Sequence, residues 1–311
     1  MKLSITRTLA LGAAAFLALG LAACSSASAS TDGSSDSAGS GAGTFAVDDQ
    51  TLVFGVVPDS VSTQTNYQPL MDYIAKETGK KVEYHESTDY AALIEAAVAG
   101  KIDVASFSGF TYVTAVNNGA KITPISSIVT KQGQEPGYYS EAIVPKSSSI
   151  TKLEEFKGKK VCFVDPSSTS GYLFPSYNLL NAGIDPEKDV TPVFAGKHDV
   201  SVTKTGEGVE CEAGFAEDSE VAKSDKVKVI DKTMVPGAPI VVSDTLPKDV
   251  RETLTKTLGE VTIDQIIKAG IKGADSDAFR ATFYATSPVD DKYYDTIRDI
   301  CKKTNAKQCQ G

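Results

Sequence analysis

The sequence has no tryptophan, only two histidines and three methionines, and no Cys-x-x-Cys pair among its 311 residues. His85 and His198 lie far apart in the chain, so these residue types form no recognisable metal-site pattern. A Gly-x-x-x-x-Gly-Lys-Ser/Thr loop is also missing. Basic residues are outnumbered 31 to 40 by acidic ones, which argues against a nucleic-acid partner. We therefore expect no metal, no cofactor and no nucleic-acid binding.

Long apolar runs are absent except at the amino terminus. There, Lys2 and Arg7 precede "LALGAAAFLALGLAA", which is shorter than a bilayer-spanning helix. The run ends in "LAAC", which resembles a bacterial lipoprotein cleavage box. This pattern predicts a lipoprotein signal peptide over residues 1–23 and lipidation at Cys24, with an ordinary signal peptide as the alternative. We expect an exported protein, anchored by lipid at the extracytoplasmic face of the cell membrane.

The segment from Ser25 to Gly43 contains no large apolar residue. Such a tract cannot bury a core, so residues 24–44 are predicted to be a flexible tether. The folded part then begins near Phe45 and has about 265 residues, enough for two lobes with their own cores.

Four cysteines remain once Cys24 is set aside, and they permit three pairings. An exported protein favours disulfides over free thiols. We favour two structural bonds, Cys162–Cys211 and Cys301–Cys309. A catalytic cysteine is the weaker interpretation in an oxidising compartment.

The folded part alternates strand and helix patterns in two successive α/β series. This order predicts two α/β lobes, with the chain crossing between them near residues 144–149 and again near 242–246. Lobe 1 would comprise residues 45–145 and 246–311, and lobe 2 residues 146–245. Ligands of such sheets bind beyond the carboxyl ends of the strands, at helix N-termini.

Hydroxyl groups are concentrated at one of these strand ends. The strand "VCFVD" leads into Ser167, Ser168, Thr169 and Ser170, and Gly171 opens the next helix. A helix cap needs one hydroxyl, whereas four in a row suit an anion held by neutral donors at a helix N-terminus. The strand "IDVASFS" ends similarly, in Ser108 before a helix. Two such ends facing each other would form an oxyanion clamp.

Other candidates stand near the expected cleft. Tyr90 begins a helix, His198 follows a strand, and Tyr138 lies near the expected crossover; its neighbour Tyr139 should point to the opposite face. His198 with a nearby serine could also form a nucleophile and base, but no third member of a catalytic set is evident. We therefore expect a binding protein rather than an enzyme.

Five blocks resemble one family, namely "TDYAALIEAAVAGKIDVASFS", "GYYSEAIVPKSS", "FKGKKVCFVDPSSTSGYLFP", "AGKHDVSV" and "VPGAPIVVS". They are similar to the periplasmic phosphonate- and phosphite-binding proteins of ABC transporters, the PhnD family. The resemblance implies a type II binding-protein fold, with two α/β lobes joined by two hinge crossovers. It also implies a ligand set of Tyr90, Tyr138, Ser168, Thr169, Ser170 and His198.

Two departures from the family pattern concern the ligand. Ala238 stands where members that bind aminoalkyl phosphonates carry an acidic residue, and the second acidic position falls at Asp218 or Ser219. Ser108 adds a hydroxyl to a turn where the family has none. These changes favour phosphite, phosphate or a small phosphonate with an uncharged tail.

Together with the signal-peptide pattern, the resemblance predicts a substrate-binding lipoprotein that captures a phosphorus oxyanion for the permease of an ABC importer. We expect this protein to be a monomer. Two alternatives stay open. One is a receptor that signals to a membrane sensor kinase, and the other is an extracytoplasmic hydrolase of phosphate esters.

Overall fold

The structure is a computed structural model, and it describes residues 43–310. The predicted signal peptide, the lipidation site Cys24 and nearly all of the predicted tether lie outside the described residues. Within residues 43–310 the strands form two mixed sheets. No helix of this part of the chain is long and apolar enough to cross a membrane.

The first sheet has six strands within the described range, in the order β11-β4-β10-β3-β1-β2. Its central strands are apolar and buried along their whole length, as expected for strands covered by helices on both faces. β1, β2 and β3 are parallel, whereas β10 runs antiparallel between β3 and β4. The strands are β1 Thr51–Val56, β2 Lys81–His85, β3 Val104–Ser106, β4 Ile122–Val129, β10 Pro239–Ser243 and β11 Ala285–Ser287.

The second sheet has five strands among the described residues, in the order β7-β6-β8-β5-β9. β6, β7 and β8 are parallel, and β5 pairs antiparallel with both β8 and β9. The strands are β5 Gly137–Pro145, β6 Lys160–Phe163, β7 Thr191–Phe194, β8 Ala213–Glu217 and β9 Val227–Pro236.

The chain crosses between the sheets earlier than the sequence predicts. β5 belongs to the second sheet and β10 to the first, so the crossovers span residues 130–136 and 237–238. The expected positions near 144–149 and 242–246, and with them the lobe limits at 145 and 245, are wrong by one strand each. Local alternation identifies a strand, but it carries no information about which of two sheets a border strand joins.

Helices cover both sheets. α1, α7, α8 and α9 pack on one face of the first sheet, and α2, α3 and α10 pack on the other. The helices are α1 Thr63–Thr78, α2 Tyr90–Val98, α3 Gly109–Asn117, α4 Phe174–Asn181, α5 His198–Glu207, α6 Asp218–Val221, α7 Lys248–Leu258, α8 Ile263–Lys268, α9 Asp277–Thr282 and α10 Asp295–Thr304.

The two lobes share apolar packing around α10. Tyr294 and Ile297 belong to one buried cluster with Phe110 of α3 and with Leu173 and Phe174 at the start of α4. The carboxyl-terminal helix therefore contacts an element of each lobe.

The cysteines of the described range form the two pairs that the sequence favours. Cys162 of β6 is bonded to Cys211 just before β8, with their Cα atoms 5.5 Å apart. Cys301 of α10 is bonded to Cys309, with a Cα separation of 5.7 Å. The first bond ties neighbouring strands of the second sheet, and the second folds the carboxyl terminus back onto α10.

Candidate functional site

A cavity of about 340 Å³ lies between the lobes. The residues that follow β1 and β3 line it from the first lobe, and those that follow β7 and β8 line it from the second. These are carboxyl ends of parallel strands, the position that the strand order predicts for a ligand. Tyr90, Ser108, Tyr138, His198 and Asp218, all predicted from the sequence, are in its lining.

The first lobe contributes the N-terminus of α3. Ser108 caps this helix, because its Oγ accepts a hydrogen bond from the Thr111 N–H at 3.4 Å and lies 2.7 Å from Thr111 Oγ1. The first N–H groups of a helix have no partner within it. This end of α3 therefore presents backbone N–H groups and hydroxyls where β3 ends.

The second lobe contributes the hydroxyl row. Ser168 caps a π-helical turn, Thr169–Leu173, that leads into α4, and its Oγ accepts from the Gly171 N–H at 3.1 Å. A Cβ atom on Gly171 would lie 2.3 Å from Cβ of Val164, so only glycine lets the turn approach the end of β6 this closely. Ser167 is part of the preceding turn, since its N–H donates to Asp165 Oδ1 at 2.7 Å.

The two helix N-termini meet directly across the lobe boundary. The Phe110 N–H of α3 donates to Thr169 Oγ1 at 2.7 Å, and Thr111 Oγ1 donates to the Ser167 carbonyl at 3.1 Å. All four hydroxyl-row residues are buried. In the part of the chain that the structure describes, the cavity lining does not include Ser168, Thr169 or Ser170. Thr169 is bonded across the contact between the lobes, whereas Ser168 bonds within its own turn and the Ser170 carbonyl accepts from Ser140 Oγ of the same lobe.

Ser170 differs from its neighbours because its hydroxyl is fully buried and has no hydrogen-bond partner of good geometry within the described range. Tyr138, which lines the cavity, is close enough for the Ser170 hydroxyl to act on its pKa. Burial, and then the Glu217 carboxylate, raises the pKa of Tyr138, while the Ser170 and Thr169 hydroxyls act in the opposite direction. Tyr138 is therefore a neutral donor that connects the cavity with the hydroxyl row.

Tyr90 and His198 are also neutral donors. Burial raises the pKa of the Tyr90 hydroxyl. His198 Nδ1 accepts a hydrogen bond from the Glu217 N–H at 2.9 Å, and burial lowers the pKa of the imidazole to about 4. The acceptor role of Nδ1 places the ring proton on Nε2.

The cavity is lined by more carboxyl groups than the sequence predicts. Asp59 follows β1, Glu217 ends β8, and Glu220 lies on α6, in addition to Asp218. Burial raises the pKa of Asp59 and of Glu217 to about 7 each. Ala238 lines the cavity, and the acidic residue that the family pattern has at this position is missing there, but Asp59, Glu217 and Glu220 supply carboxyl groups from other positions.

Asp218, the acidic position predicted from the sequence, uses one of its carboxylate oxygens within the lobe, since its Oδ1 accepts the Tyr139 N–H at 3.2 Å. The rule that ligand groups follow parallel strands could have identified Asp59, which stands after β1 as Ser108 stands after β3. The residues described contain no group of three or more His, Cys, Asp or Glu side chains arranged to hold a metal ion.

Comparison with known proteins places the chain in a family. A sequence model described as ABC transporter, phosphonate, periplasmic substrate-binding protein matches residues 54–285. The chain belongs to this family. A curated relative, the phosphate-import protein PhnD of Mycolicibacterium smegmatis, is 35% identical over 286 residues, which cover 84% of this chain and 88% of the relative.

Solved structures share the architecture. PhnD1 from Prochlorococcus marinus, in complex with methylphosphonate, gives a TM-score of 0.70 at 19% identity and covers 83% of this chain and 100% of its own. A binding-protein component of an ABC phosphonate transporter from Pseudomonas aeruginosa gives 0.70 at 23% identity, covering 83% and 87%. The fold is therefore the type II periplasmic binding-protein fold, with two α/β lobes and two crossovers, as predicted.

Proposed function

We propose that this chain is the substrate-binding lipoprotein of an ABC importer, and that it captures a phosphorus oxyanion between its lobes for delivery to the permease. The observation that carries the proposal is the meeting of two hydroxyl-bearing helix N-termini, one from each lobe, beside a cavity whose lining includes neutral donors as well as charged side chains. Such ends attract anions through their unpaired N–H groups and their dipoles.

Neutral donors suit this task because they bind an anion without the cost of burying a lysine or arginine. Tyr90, Ser108, Tyr138, Ser168, Thr169, Ser170 and His198 form the proposed ligand set, with Asp218 at its edge. The Thr169 hydroxyl and the Ser170 hydroxyl would turn toward the phosphoryl oxygens once a ligand enters. Ser170 is already without a partner in the described structure.

The ligand would also control lobe closure. Contacts that come from both lobes exist together only in the closed form, so a ligand that makes them shifts the equilibrium toward closure. A permease that recognises the closed form would then receive loaded protein. We further propose that the protein acts as a monomer, anchored at Cys24 on the extracytoplasmic face of the membrane, with residues 24–44 as the tether.

The proposed ligands are phosphate, phosphite and small phosphonates. Relatives support this range, since one is named for phosphate import and a solved neighbour holds methylphosphonate.

The hydrolase alternative lacks support in the described residues. The only side-chain hydrogen bond of His198 there is the one that its Nδ1 accepts from the Glu217 N–H, and no serine pairs with the imidazole. No observation favours the sensor-kinase alternative.

A thermal-shift panel tests the proposal. At a concentration of about 100 times Kd, a ligand adds about 2.7 kcal/mol to the free energy of unfolding, which corresponds to a rise in Tm of about 5–10 °C for a protein of this size. We expect phosphate, phosphite or methylphosphonate to give the largest rise. Sulfate giving the largest rise would overturn the assignment to phosphorus oxyanions, and turnover of a phosphate ester by the purified protein would revive the hydrolase alternative.

A further inference from the structure

Asp59 is a carboxyl group at the junction of the two lobes. Its segment is docked against the start of α5, because the His198 N–H donates to the Asp59 carbonyl at 2.8 Å and Lys197 Nζ donates to the Pro58 carbonyl at 3.1 Å. Asp59 lines the cavity, and Thr63 Oγ1 donates to its Oδ1 at 2.6 Å. Within residues 43–310, Oδ2 receives no hydrogen bond.

The charged and titratable groups that act on the pKa of Asp59 are two carboxyl groups and a histidine. Glu217 and Glu220 face it from the second lobe, together with the neutral imidazole of His198. The hydroxyls of Tyr67, Tyr84 and Tyr90 also face it, and the Asp59 charge contributes to the raised pKa of each. Three cationic side chains line the same cavity, namely Lys131, Lys223 and Arg280. Lys223 pairs with Glu220 at 2.6 Å, and Lys197 at the lobe junction binds carbonyl oxygens.

A buried carboxylate in a cavity that binds an anion requires a proton between the oxygens of the two groups. Two oxygens that both carry negative charge repel at hydrogen-bond distance, particularly where the effective dielectric constant is low. The contact becomes favourable only when a proton lies between them. A phosphate ion keeps at least one P–O–H group near neutral pH, whereas sulfate has lost both protons.

We propose that Asp59 is a specificity-determining residue whose ionised carboxylate accepts a hydrogen bond from a P–O–H group of the ligand, so that above neutral pH the site takes protonated oxyanions and rejects sulfate. Glu217 lines the same cavity, and its Oε1 accepts a hydrogen bond from Ser219 Oγ at 2.6 Å. In this proposal the P–O–H proton of the ligand is shared among the oxygens of the ligand, Asp59 and Glu217. The inference rests on the proposed function, because it assumes that an oxyanion occupies the cavity. The inference goes beyond the proposed function because it states which class of oxyanion, the protonated one, the cavity binds.

The substitution Asp59→Asn tests the inference. The amide keeps the shape and an oxygen for the Thr63 hydroxyl, but it supplies an N–H donor that suits a fully deprotonated oxyanion. Titration calorimetry at about pH 8.5, where Asp59 is ionised and phosphate keeps one P–O–H group, would give the ratio of the affinities for inorganic phosphate and sulfate. A hydrogen bond to a charged group is worth about 1.5–3 kcal/mol, so we expect the preference for phosphate to shrink by about 10- to 100-fold.

Asp199→Asn is a matched control. Asp199 lies at the same lobe junction, where its Oδ2 accepts the Val61 N–H at 3.1 Å, and it is not part of the cavity lining in the described structure. An asparagine oxygen can still accept that N–H, so this variant should keep the wild-type preference. An equal loss of preference in both variants would overturn the role assigned to Asp59.

Wild-type protein provides a second test that needs no variant. The second ionisation of a phosphoryl group lies near neutral pH. Between about pH 6 and about pH 9, methylphosphonate loses its last P–O–H group, while phosphate keeps one. Asp59 and Glu217 ionise over the same range, since the pKa of each is about 7. We therefore expect the affinity for methylphosphonate to fall at least tenfold more than the affinity for phosphate.

The outcomes separate the two proposals. If the wild-type protein binds phosphate but Asp59→Asn keeps the full preference over sulfate, the inference about Asp59 is wrong and the proposed function stands. If the wild-type protein binds neither phosphate nor phosphonates, the proposed function fails as well. If aminoethylphosphonate binds far more tightly than phosphate and only its affinity depends on Asp59, the carboxylate accepts an ammonium group and the P–O–H assignment is overturned.

Discussion

Replacing Cys162 and Cys211 together by alanine should lower the free energy of unfolding by about 4 kcal/mol. The bond closes a loop of 49 residues, and the entropy that a crosslink removes from the unfolded chain grows with the logarithm of loop length. Both cysteines are fully buried, and the bond joins β6 to the entry of β8 in the centre of the second sheet. Urea unfolding of the double variant, followed by circular dichroism, would measure the change.

The second disulfide is the control for this prediction. Cys301 and Cys309 are only 8 residues apart, so the same relation gives about 2.5 kcal/mol for their removal. This bond also holds only the end of the chain. Equal losses for the two double variants would contradict the account, as would two free thiols found for Cys162 and Cys211 in the oxidised protein.

Substituting Thr169 by valine should weaken the binding of phosphate by about 10- to 100-fold. The change removes one hydroxyl at nearly constant volume, and a hydrogen bond to a charged group contributes about 1.5–3 kcal/mol. Valine also leaves the Phe110 N–H without its acceptor, so the free energy of unfolding should fall by about 1–3 kcal/mol. Calorimetry with phosphate and a thermal melt of the same sample would record both effects.

Two further variants separate binding from packing. Thr169→Ser keeps the hydroxyl and should retain most of the affinity. Thr205→Val removes another fully buried threonine hydroxyl, one that has no hydrogen-bond partner in the described structure, and should leave phosphate affinity unchanged. If Thr169→Val binds phosphate as well as Thr205→Val does, Thr169 is not a ligand residue.

The sequence predicts much of the fold because helix and strand signals are local. Asp89, a residue type that favours helix N-caps, accepts the Ala92 N–H at 2.8 Å at the start of α2, and Gly79 ends α1 with a positive φ of 68°. Sheet membership is not a local property. β5 and β10 both read correctly as strands, but their partners lie far away along the chain, and both were assigned to the wrong lobe.

The candidate site also combines residues that the sequence predicts with residues and contacts that only the structure shows. The hydroxyl row and Ser108 could be recognised because a strand, a run of small polar residues and a helix follow one another in the sequence. Their direct meeting through the Phe110 N–H and Thr169 could not be predicted, because it depends on how closely the lobes approach. Asp59 was missed since a single aspartate after a strand is common, and only the three-dimensional structure places it in a cavity with Glu217.

The most direct test of the account is the binding of phosphorus oxyanions to the purified protein by titration calorimetry. We expect inorganic phosphate, phosphite or methylphosphonate to bind as one ion per chain, with at least tenfold weaker binding by the Thr169→Val variant. A folded wild-type protein that binds none of these ions, or one whose affinity for them is the same in that variant, would contradict the conclusion that the oxyanion is held between the two lobes.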